Sequence, residues 1–414
     1  MSRYGLYSLP DGWEARAVMD CILPKGVENK GSIQQRGYQP SGRFPVVDQG
    51  AALVAGYTDE ETMVYQQDLP LILFGDHTRV FKFLDFPFAT GADGTKLLKP
   101  NREFVDAKFL YYALLKLEIP SRGYNRHFKY LKEREVPCPS DKAEQRAIAA
   151  VLSKIQAAIE VQQRIVATLK ALKAATMAKL FREGTRGEKV FNESGNREYP
   201  SHWDLLTLQD CAYVQTGIAK GRRLRGDDMV ERPYLRVANV QDGYLDLGEI
   251  KTILLQRAEI ERYSLRAGDV LLTEGGDFDK LGRGYIWREQ IEGCVHQNHI
   301  FAVRTNKALL VPEFFAYLIQ SPYGKAYFLS VAHKTTNLAC INSTKLRTFP
   351  VILPEIEEQN EIAGVLNVID FEIEAQSGVL TTKRTLFSSM LHLLMTGQVR
   401  VNHLNLQEEG PVWR

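Results

Sequence analysis

Two stretches of the 414-residue chain carry the same long apolar period. In the first, Ile148, Leu152, Ile155, Ile159, Gln162, Val166, Leu169, Lys173, Thr176 and Leu180 follow alternating steps of four and three. In the second, Ile362, Leu366, Ile369, Ile373, Gln376, Leu380, Lys383, Phe387, Met390 and Leu394 do the same. A sustained 3.5-residue repeat predicts two long helices whose seams face a partner helix, as in a coiled coil. Gln162 and Gln376, and likewise Lys173 and Lys383, are read as interrupting the two seams at matching steps, which costs stability but fixes register. The same period would also serve two amphipathic helices buried in separate cores.

The two helices are copies. Glu144-Gln145-Arg146-Ala147-Ile148-Ala149-Ala150-Val151-Leu152 returns as Glu358-Gln359-Asn360-Glu361-Ile362-Ala363-Gly364-Val365-Leu366. Just upstream, Val136-Pro137-Cys138-Pro139 and Val351-Ile352-Leu353-Pro354 both end an extended segment at a proline, ahead of acidic residues that suit a helix start. Earlier still, Pro10, Trp13 and Asp20-Cys21 are matched at the same spacing by Pro200, Trp203 and Asp210-Cys211. The duplication therefore takes in whole globular segments. These mix strand-like runs (Leu69–Phe74, Asp269–Thr273) with helix-like ones (Lys108–Leu115, Glu313–Leu318), an α/β composition. The expected order is a globular domain over 1–138, a helical region over 139–188, a second domain over 189–350, and a C-terminal helical region and tail over 351–414. Polar, glycine-rich stretches at Glu183–Glu188 and Asn192–Asn196 mark the linker between the halves.

Composition narrows the function by exclusion. A chain 44% hydrophobic and 25% charged is of the globular type, and no run of about 18 apolar residues marks a membrane span. The start, Met1-Ser2-Arg3-Tyr4-Gly5, does not read as a secretory signal, so a cytoplasmic location is expected. The five cysteines form no Cys-x-x-Cys pair. Gly91–Lys96 only superficially resembles a phosphate-cradling loop, and no Pro-Pro pair occurs to build the base-holding tetrapeptide of an amino-methyltransferase. Asp106-Ala107-Lys108 lacks the upstream carboxylate of a metal-dependent nuclease. Cys294, His296 and His299 lack a fourth ligand, and no metal site is assigned. No catalytic residue is assigned either.

Net charge is only +2, so any case for nucleic acid rests on local clusters. Arg122, Tyr124, Asn125, Arg126, His127 and Lys129 concentrate cations among aromatics next to Gly123. Such side chains neutralise phosphates and pair with base edges. Lys220, Arg222 and Arg223 form a second cationic loop. Two loops follow strands at comparable places: Gly75, Asp76, His77, Thr78 and Arg79 in the first domain, and Gly275, Gly276, Lys280 and Arg283 in the second. Different polar side chains on equivalent loops are what two different sequence readers need, although plain hairpin turns would look the same.

The order of parts, with the paired Glu-Gln helices and the ending Thr396-Gly397-Gln398-Val399-Arg400, resembles the specificity subunit of type I restriction-modification systems along nearly the whole chain. Gly123–Lys129, Phe74–Arg79 and Asp93-Gly94-Thr95-Lys96 resemble segments of that family's target-recognition domains, which brings in Lys96. The second domain departs from the first in carrying Thr335, Thr336 and Asn337 where the first has its Arg-rich stretch. The resemblance implies two α/β target-recognition domains separated by two helices that pair as an antiparallel coiled coil in a pseudo-two-fold repeat. It also implies a non-catalytic chain that binds double-stranded DNA, two methyltransferase subunits and restriction or translocase subunits. S-adenosylmethionine, ATP and magnesium would then sit on those partners, with no cofactor in this chain. Other readings are a stand-alone bipartite DNA-binding regulator, a coiled-coil adaptor without a DNA role, and the recognition subunit of a fused methyltransferase-nuclease.

Overall fold

A computed structural model describes residues 9–24, 26–91, 94–120, 126–187, 199–221, 228–276, 281–334 and 339–401. The chain forms two compact units, Met1–Arg164 with Gly378–Arg414, and Ile165–Ser377. The structure is mixed α/β in both. Among the described residues no helix is long and apolar enough to cross a membrane.

The first unit opens with β1 (Trp13–Ala17), followed by β2 (Phe44–Val47), β3 (Gly56–Thr58), β4 (Val64–Tyr65), β5 (Leu71–Gly75), β6 (Phe81–Leu84), β7 (Phe88–Thr90) and β8 (Thr95–Leu98). Then come α1 (Ala107–Leu115), α2 (Phe128–Lys132), β9 (Glu135–Pro139) and the long α3 (Lys142–Glu183). Strands β3-β2-β7-β4 and β6-β5-β8 make two small sheets, and β1 pairs antiparallel with β9. The core lies between β5, α1 and the first turns of α3, where Ile72, Phe74, Phe109, Tyr112, Ile148 and Leu152 are fully buried.

The second unit repeats the plan with more strands. It has β10 (Asp204–Thr207), α4 (Leu208–Cys211), β11 (Ala212–Thr216), β12 (Met229–Leu235), β13 (Lys251–Gln256), α5 (Ile260–Tyr263), β14 (Val270–Thr273) and β15 (Gly275–Gly276). After these come β16 (Gly284–Ile286), β17 (Val295–His296), β18 (Ile300–Thr305), α6 (Pro312–Gln320), α7 (Pro322–Val331), β19 (His333–Lys334), β20 (Ala339–Cys340), α8 (Ser343–Arg347), β21 (Pro350–Leu353) and α9 (Ile356–Met395). The sheets run β11-β18-β14-β16, β13-β12-β17 and β15-β20-β19, and β10 pairs antiparallel with β21 as β1 does with β9.

Each unit takes in one half of each long helix. In the first, Lys383 Nζ donates to Gln162 Oε1 at 2.8 Å, and Arg400 just beyond α9 bonds Glu144 at the start of α3. In the second, Lys173 Nζ lies 2.7 Å from Asp370 Oδ1, and the Thr185 N–H donates to Glu358 Oε1 at 2.9 Å. In both units the end of one helix meets the start of the other, so the pairing is antiparallel. None of the seam residues Ile148, Leu152, Ile155, Ile159, Gln162, Ile362, Leu366, Ile369, Ile373 and Gln376 is exposed. The expected equivalence of the two seam lysines does not hold. The offset that carries Glu144 to Glu358 and Gln162 to Gln376 carries Lys173 to Phe387, and Lys383 answers to Leu169.

The repeated Glu-Gln pair is explained by burial. Gln145 and Gln359 are fully enclosed. Gln145 Oε1 accepts from Asp106 N–H, the cap of α1, at 2.7 Å, while its Nε2 donates to the Pro139 carbonyl at 2.8 Å. Gln359 Oε1 accepts from Val311 N–H, the cap of α6, at 2.8 Å, and its Nε2 donates to Pro354 O and Leu309 O at 2.8 and 2.9 Å.

Gln145→Ala would leave two interior backbone groups without their partner, at about 1–3 kcal/mol each. Urea unfolding of the full chain should show the first unit melting at lower denaturant, and Gln359→Ala should do the same to the second. An unmoved midpoint would take this role away from the glutamines.

Candidate nucleic-acid interface

In the first unit the predicted loop is a hairpin turn between β5 and β6, and Asp76 is its hub. Asp76 is 3% exposed and His127 1%. The Asp76 N–H donates to Gly94 O at 2.7 Å, which ties the turn to the residues leading into β8. Its carbonyl accepts from the His127 N–H and from the ring Nδ1–H, both at 2.9 Å. Its carboxylate accepts from Phe128 N–H, in the first turn of α2, at 2.7 Å. A carboxylate at a helix start suits the unpaired N–H groups there. Asp76 and His127 are therefore interior fasteners, placed to hold other groups at the surface.

Those groups are cations. Arg126 and Lys129 flank His127 and are exposed, and Lys96, opposite Phe74 in the β5–β8 pair, is exposed as well. Lys129 Nζ lies 4.9 Å from the Tyr130 ring centroid. Gly75 ends β5, and Thr78 Oγ1 donates to the Gln49 carbonyl at 2.7 Å. Arg79 is half-buried, and its Nη1 donates to Ile119 O at 3.0 Å, so this guanidinium also fastens a neighbouring segment. The structure thus brings Gly75, Asp76, His77, Thr78, Arg79, Lys96, Arg126, His127 and Lys129 to one end of the first unit. Arg122, Tyr124 and Asn125 lie outside the described residues.

In the second unit the corresponding loop also joins antiparallel strands, β14 and β16. Gly275 and Gly276 form β15 and pair with Cys340 and Ala339. A Cβ at Gly275 would stand 2.5 Å from Cys340 Sγ, so the pairing needs glycine there. Arg283 Nη1 donates to Gln241 Oε1 at 2.7 Å. Lys220 is exposed. Arg222, Arg223, Lys280, Thr335, Thr336 and Asn337 lie outside the described residues, as does the linker segment Asn192–Asn196. Two polar residues at this end were not among the predicted DNA contacts: His299, whose Nδ1 is 2.5 Å from Glu274 Oε2, and its neighbour Asn298. Glu274 directly precedes β15, and Ile341 N–H donates to its carbonyl at 2.8 Å.

Cys294, His296 and His299 do not converge. Cys294 and His296 are buried, whereas His299 is exposed. Among the described residues no group of three His, Cys, Asp or Glu side chains is placed to hold a metal ion.

A two-fold repeat of small α/β domains, each followed by half of an antiparallel helix pair, with loop clusters at the domain ends, defines a class of bipartite binding protein. Comparison with known proteins shows what it is similar to. Residues 200–379 match the family described as the type I restriction modification DNA specificity domain. The MjaVIII type I restriction enzyme specificity subunit of Methanocaldococcus jannaschii is 24% identical over 419 aligned positions, covering 96% of this chain and 95% of that one. The putative MjaX specificity subunit of the same organism is 26% identical over 185 residues, and that match spans only 44% of this chain and 43% of the relative. The crystal structure of a type I restriction-modification S subunit from M. genitalium superposes with a TM-score of 0.56 at 16% identity, covering 95% of this chain and 98% of that one, which establishes the shared fold. The chain is thus similar to type I restriction-modification specificity subunits along nearly its whole length, with the family match itself confined to residues 200–379.

His296 supplies a pH test of the second unit. Burial drives its imidazole from the ordinary 6.5 down to about 4, because the charged form would have to leave water. The unfolded chain takes up this proton at higher pH than the folded one. Stability is therefore expected to be full above about 6.5 and to fall as pH drops towards about 4, by on the order of 3 kcal/mol from this residue. Urea midpoints at neutral and acidic pH should show His296→Leu flattening the dependence. Equal acid losses in both chains would remove His296 as the cause.

Proposed function

We propose that this chain is the sequence-recognition subunit of a type I restriction-modification enzyme, with each globular domain reading one half of a split double-stranded DNA target. The observation that carries this is the buried Asp76–His127 fastening, which commits interior hydrogen bonds to presenting Lys96, Arg126 and Lys129 beside the 75–79 turn. Cations in that setting neutralise phosphates, while polar side chains on the turn face base edges. The second domain answers with a differently built hairpin at the equivalent place, as a reader of different bases requires.

In this reading the chain performs no chemistry. Methyl transfer and cleavage belong to two methyltransferase subunits and to restriction subunits, which hold S-adenosylmethionine, ATP and magnesium. The long helices offer such partners a docking surface: Val368 and Phe371 on α9 are 70% and 72% exposed, unusual for large apolar side chains unless a partner covers them.

Arg126→Ala and Lys129→Ala should each weaken DNA binding by the complex and lower its salt slope by about one unit, as expected when one phosphate contact is lost. Affinity and slope both unchanged would return these residues to the ordinary surface. Replacing residues 200–349 with the matching domain of a relative should change one half of the methylated target and leave the other. Coordinated change in both halves would contradict one domain per half-site.

A further inference from the structure

Glu274 stands in the second unit where Asp76 stands in the first. Each directly follows the strand that leads into the loop, β5 in one unit and β14 in the other. The Asp76 carbonyl accepts from His127 N–H at 2.9 Å, and the Glu274 carbonyl accepts from Ile341 N–H at 2.8 Å. The offset that carries Glu144 to Glu358 also carries His127 to Ile341, so the two bonds are copies. The side chains are used differently. The Asp76 carboxylate is buried and accepts from Phe128 N–H in the first turn of α2. The counterpart helix α8 has its own cap, Asn342, whose Oδ1 accepts from Lys345 N–H at 2.9 Å. The second unit therefore has no need of a carboxylate from the loop to start its helix, and Glu274 is half-buried rather than enclosed.

A directed chain of side chains holds this carboxylate instead. Asn298 Nδ2, which can only donate, lies 3.4 Å from His299 Nε2. A neutral imidazole that accepts at Nε2 carries its proton on Nδ1, and Nδ1 lies 2.5 Å from Glu274 Oε2. Donation runs from Asn298 through His299 to the carboxylate and so fixes its orientation. The backbone is tied to the same place, since Glu274 N–H donates to the His299 carbonyl at 2.9 Å. Asn298 N–H donates to the Ile218 carbonyl at 3.0 Å, which joins this corner to the segment that bears the exposed Lys220. Gly275 and Gly276 come next in the chain and put no side chain over it. A pair this open to solvent contributes little stability. A general attraction to DNA does not account for it either, because a carboxylate near phosphates is repelled unless a donor meets it.

We propose that Glu274 reads a cytosine in the half-site of the second domain, with His299 as its positioning residue. This rests on the reading of the chain as a DNA-recognition subunit and names a contact within it. An ionised carboxylate is acceptor-only and has about four lone-pair sites, of which the His299 bond takes one. In the major groove cytosine offers its N4 amino group as a donor, whereas thymine and guanine present acceptors and adenine sets its N6 amino group beside the N7 acceptor. An acceptor brought up to the carboxylate is left unpaired, so the same group that welcomes cytosine rejects the others. Holding the carboxylate in place before DNA arrives removes part of the entropic cost of ordering it on binding.

The test uses the full-length chain with the modification subunits that complete it, and methylation of targets varied one base at a time. Glu274→Ala is expected to reduce discrimination at one position of one half-site by roughly 5- to 150-fold, with every other position kept. Glu274→Gln, a side chain of the same shape with a donor in place of one oxygen, is expected to move the preference there from cytosine towards adenine. His299→Ala is expected to relax that same position, and His299→Asn, which keeps a donor near the place of Nδ1, to retain it. Unchanged preference in both Glu274 variants overturns the proposal, and so does an equal loss at all positions, which would make the pair merely structural. Relaxation by Glu274→Ala but not by His299→Ala would remove His299 as the positioning residue. A native complex with no base preference anywhere would sink the recognition reading itself, while the other outcomes leave that reading intact.

Discussion

A buried carboxamide at the foot of each long helix is the constraint on which the rest of the structure depends. Gln145 binds the end of β9 and the cap of α1 together, and Gln359 does the same for β21 and α6. A backbone group enclosed in the core must find a partner, and only a side chain with both an acceptor and a donor satisfies an N–H and a C=O at once. Glutamate there would bring a charge and lose the donor. The adjoining glutamates work outward from the same place. Glu144 receives Arg400, and Glu358 receives Thr185, His202 and Trp203, with burial opposing the charge of Glu358 and these bonds overcoming it so that its carboxyl lies below the usual range. One dipeptide thus sets where each domain ends, where its helix begins and where the opposite helix stops.

The repeat is faithful in this framework and unfaithful in its polar seams. A tyrosine on α1 or α6 reaches the same two helix positions in both copies: Tyr112 bonds Ser153 and Gln156, and Tyr317 bonds their counterparts Asn367 and Asp370. Around that shared contact the copies diverge. Phe387 meets the Tyr112 ring edge-on at 6.1 Å, whereas its counterpart Lys173 stands 5.2 Å from the Tyr317 ring centroid and bonds Asp370. In the first unit the polar seam contact is Lys383 on Gln162. Pairs of this kind contribute little net stability but penalise other registers, since any slip leaves a half-buried charge without its partner.

The helices, their copies and the α/β character of the domains were legible in the sequence because they rest on period and repetition, which local patterns carry. The seam lysines show the limit of reading by eye, since both interrupt an apolar run but only the offset of the whole repeat reveals that they are not equivalents. The loops were legible as polar segments but not in the roles of their side chains. Asp76 and His127 look like surface binders because their neighbours in sequence are turns and cations, and only the meeting of the 75–79 turn with the start of α2 puts them inside. Lys82 sits in a short alternating strand, Phe81-Lys82-Phe83-Leu84, where a cation is ordinarily the solvent-facing member, yet its side chain is 4% exposed and its Nζ donates to the carbonyls of Asp48 and Ala52.

On the proposed reading of the chain as a DNA-recognition subunit, duplication preserves the frame and releases the loops. Different bases demand different donors and acceptors, so two domains that read unlike half-sites cannot keep the same turn. Whatever replaces it must still hold its polar atoms still, because ordering a mobile side chain on binding consumes the discrimination that its contacts supply. The first domain meets that need with a carboxylate and an imidazole taken into the core. The second meets it by pairing β15 with β20 through glycines that admit the partner strand, with Glu274 and His299 bonded beside it. In that reading the requirement common to both is rigidity supplied from behind the loops, and the chemistry that supplies it is as free to differ as the bases they would face.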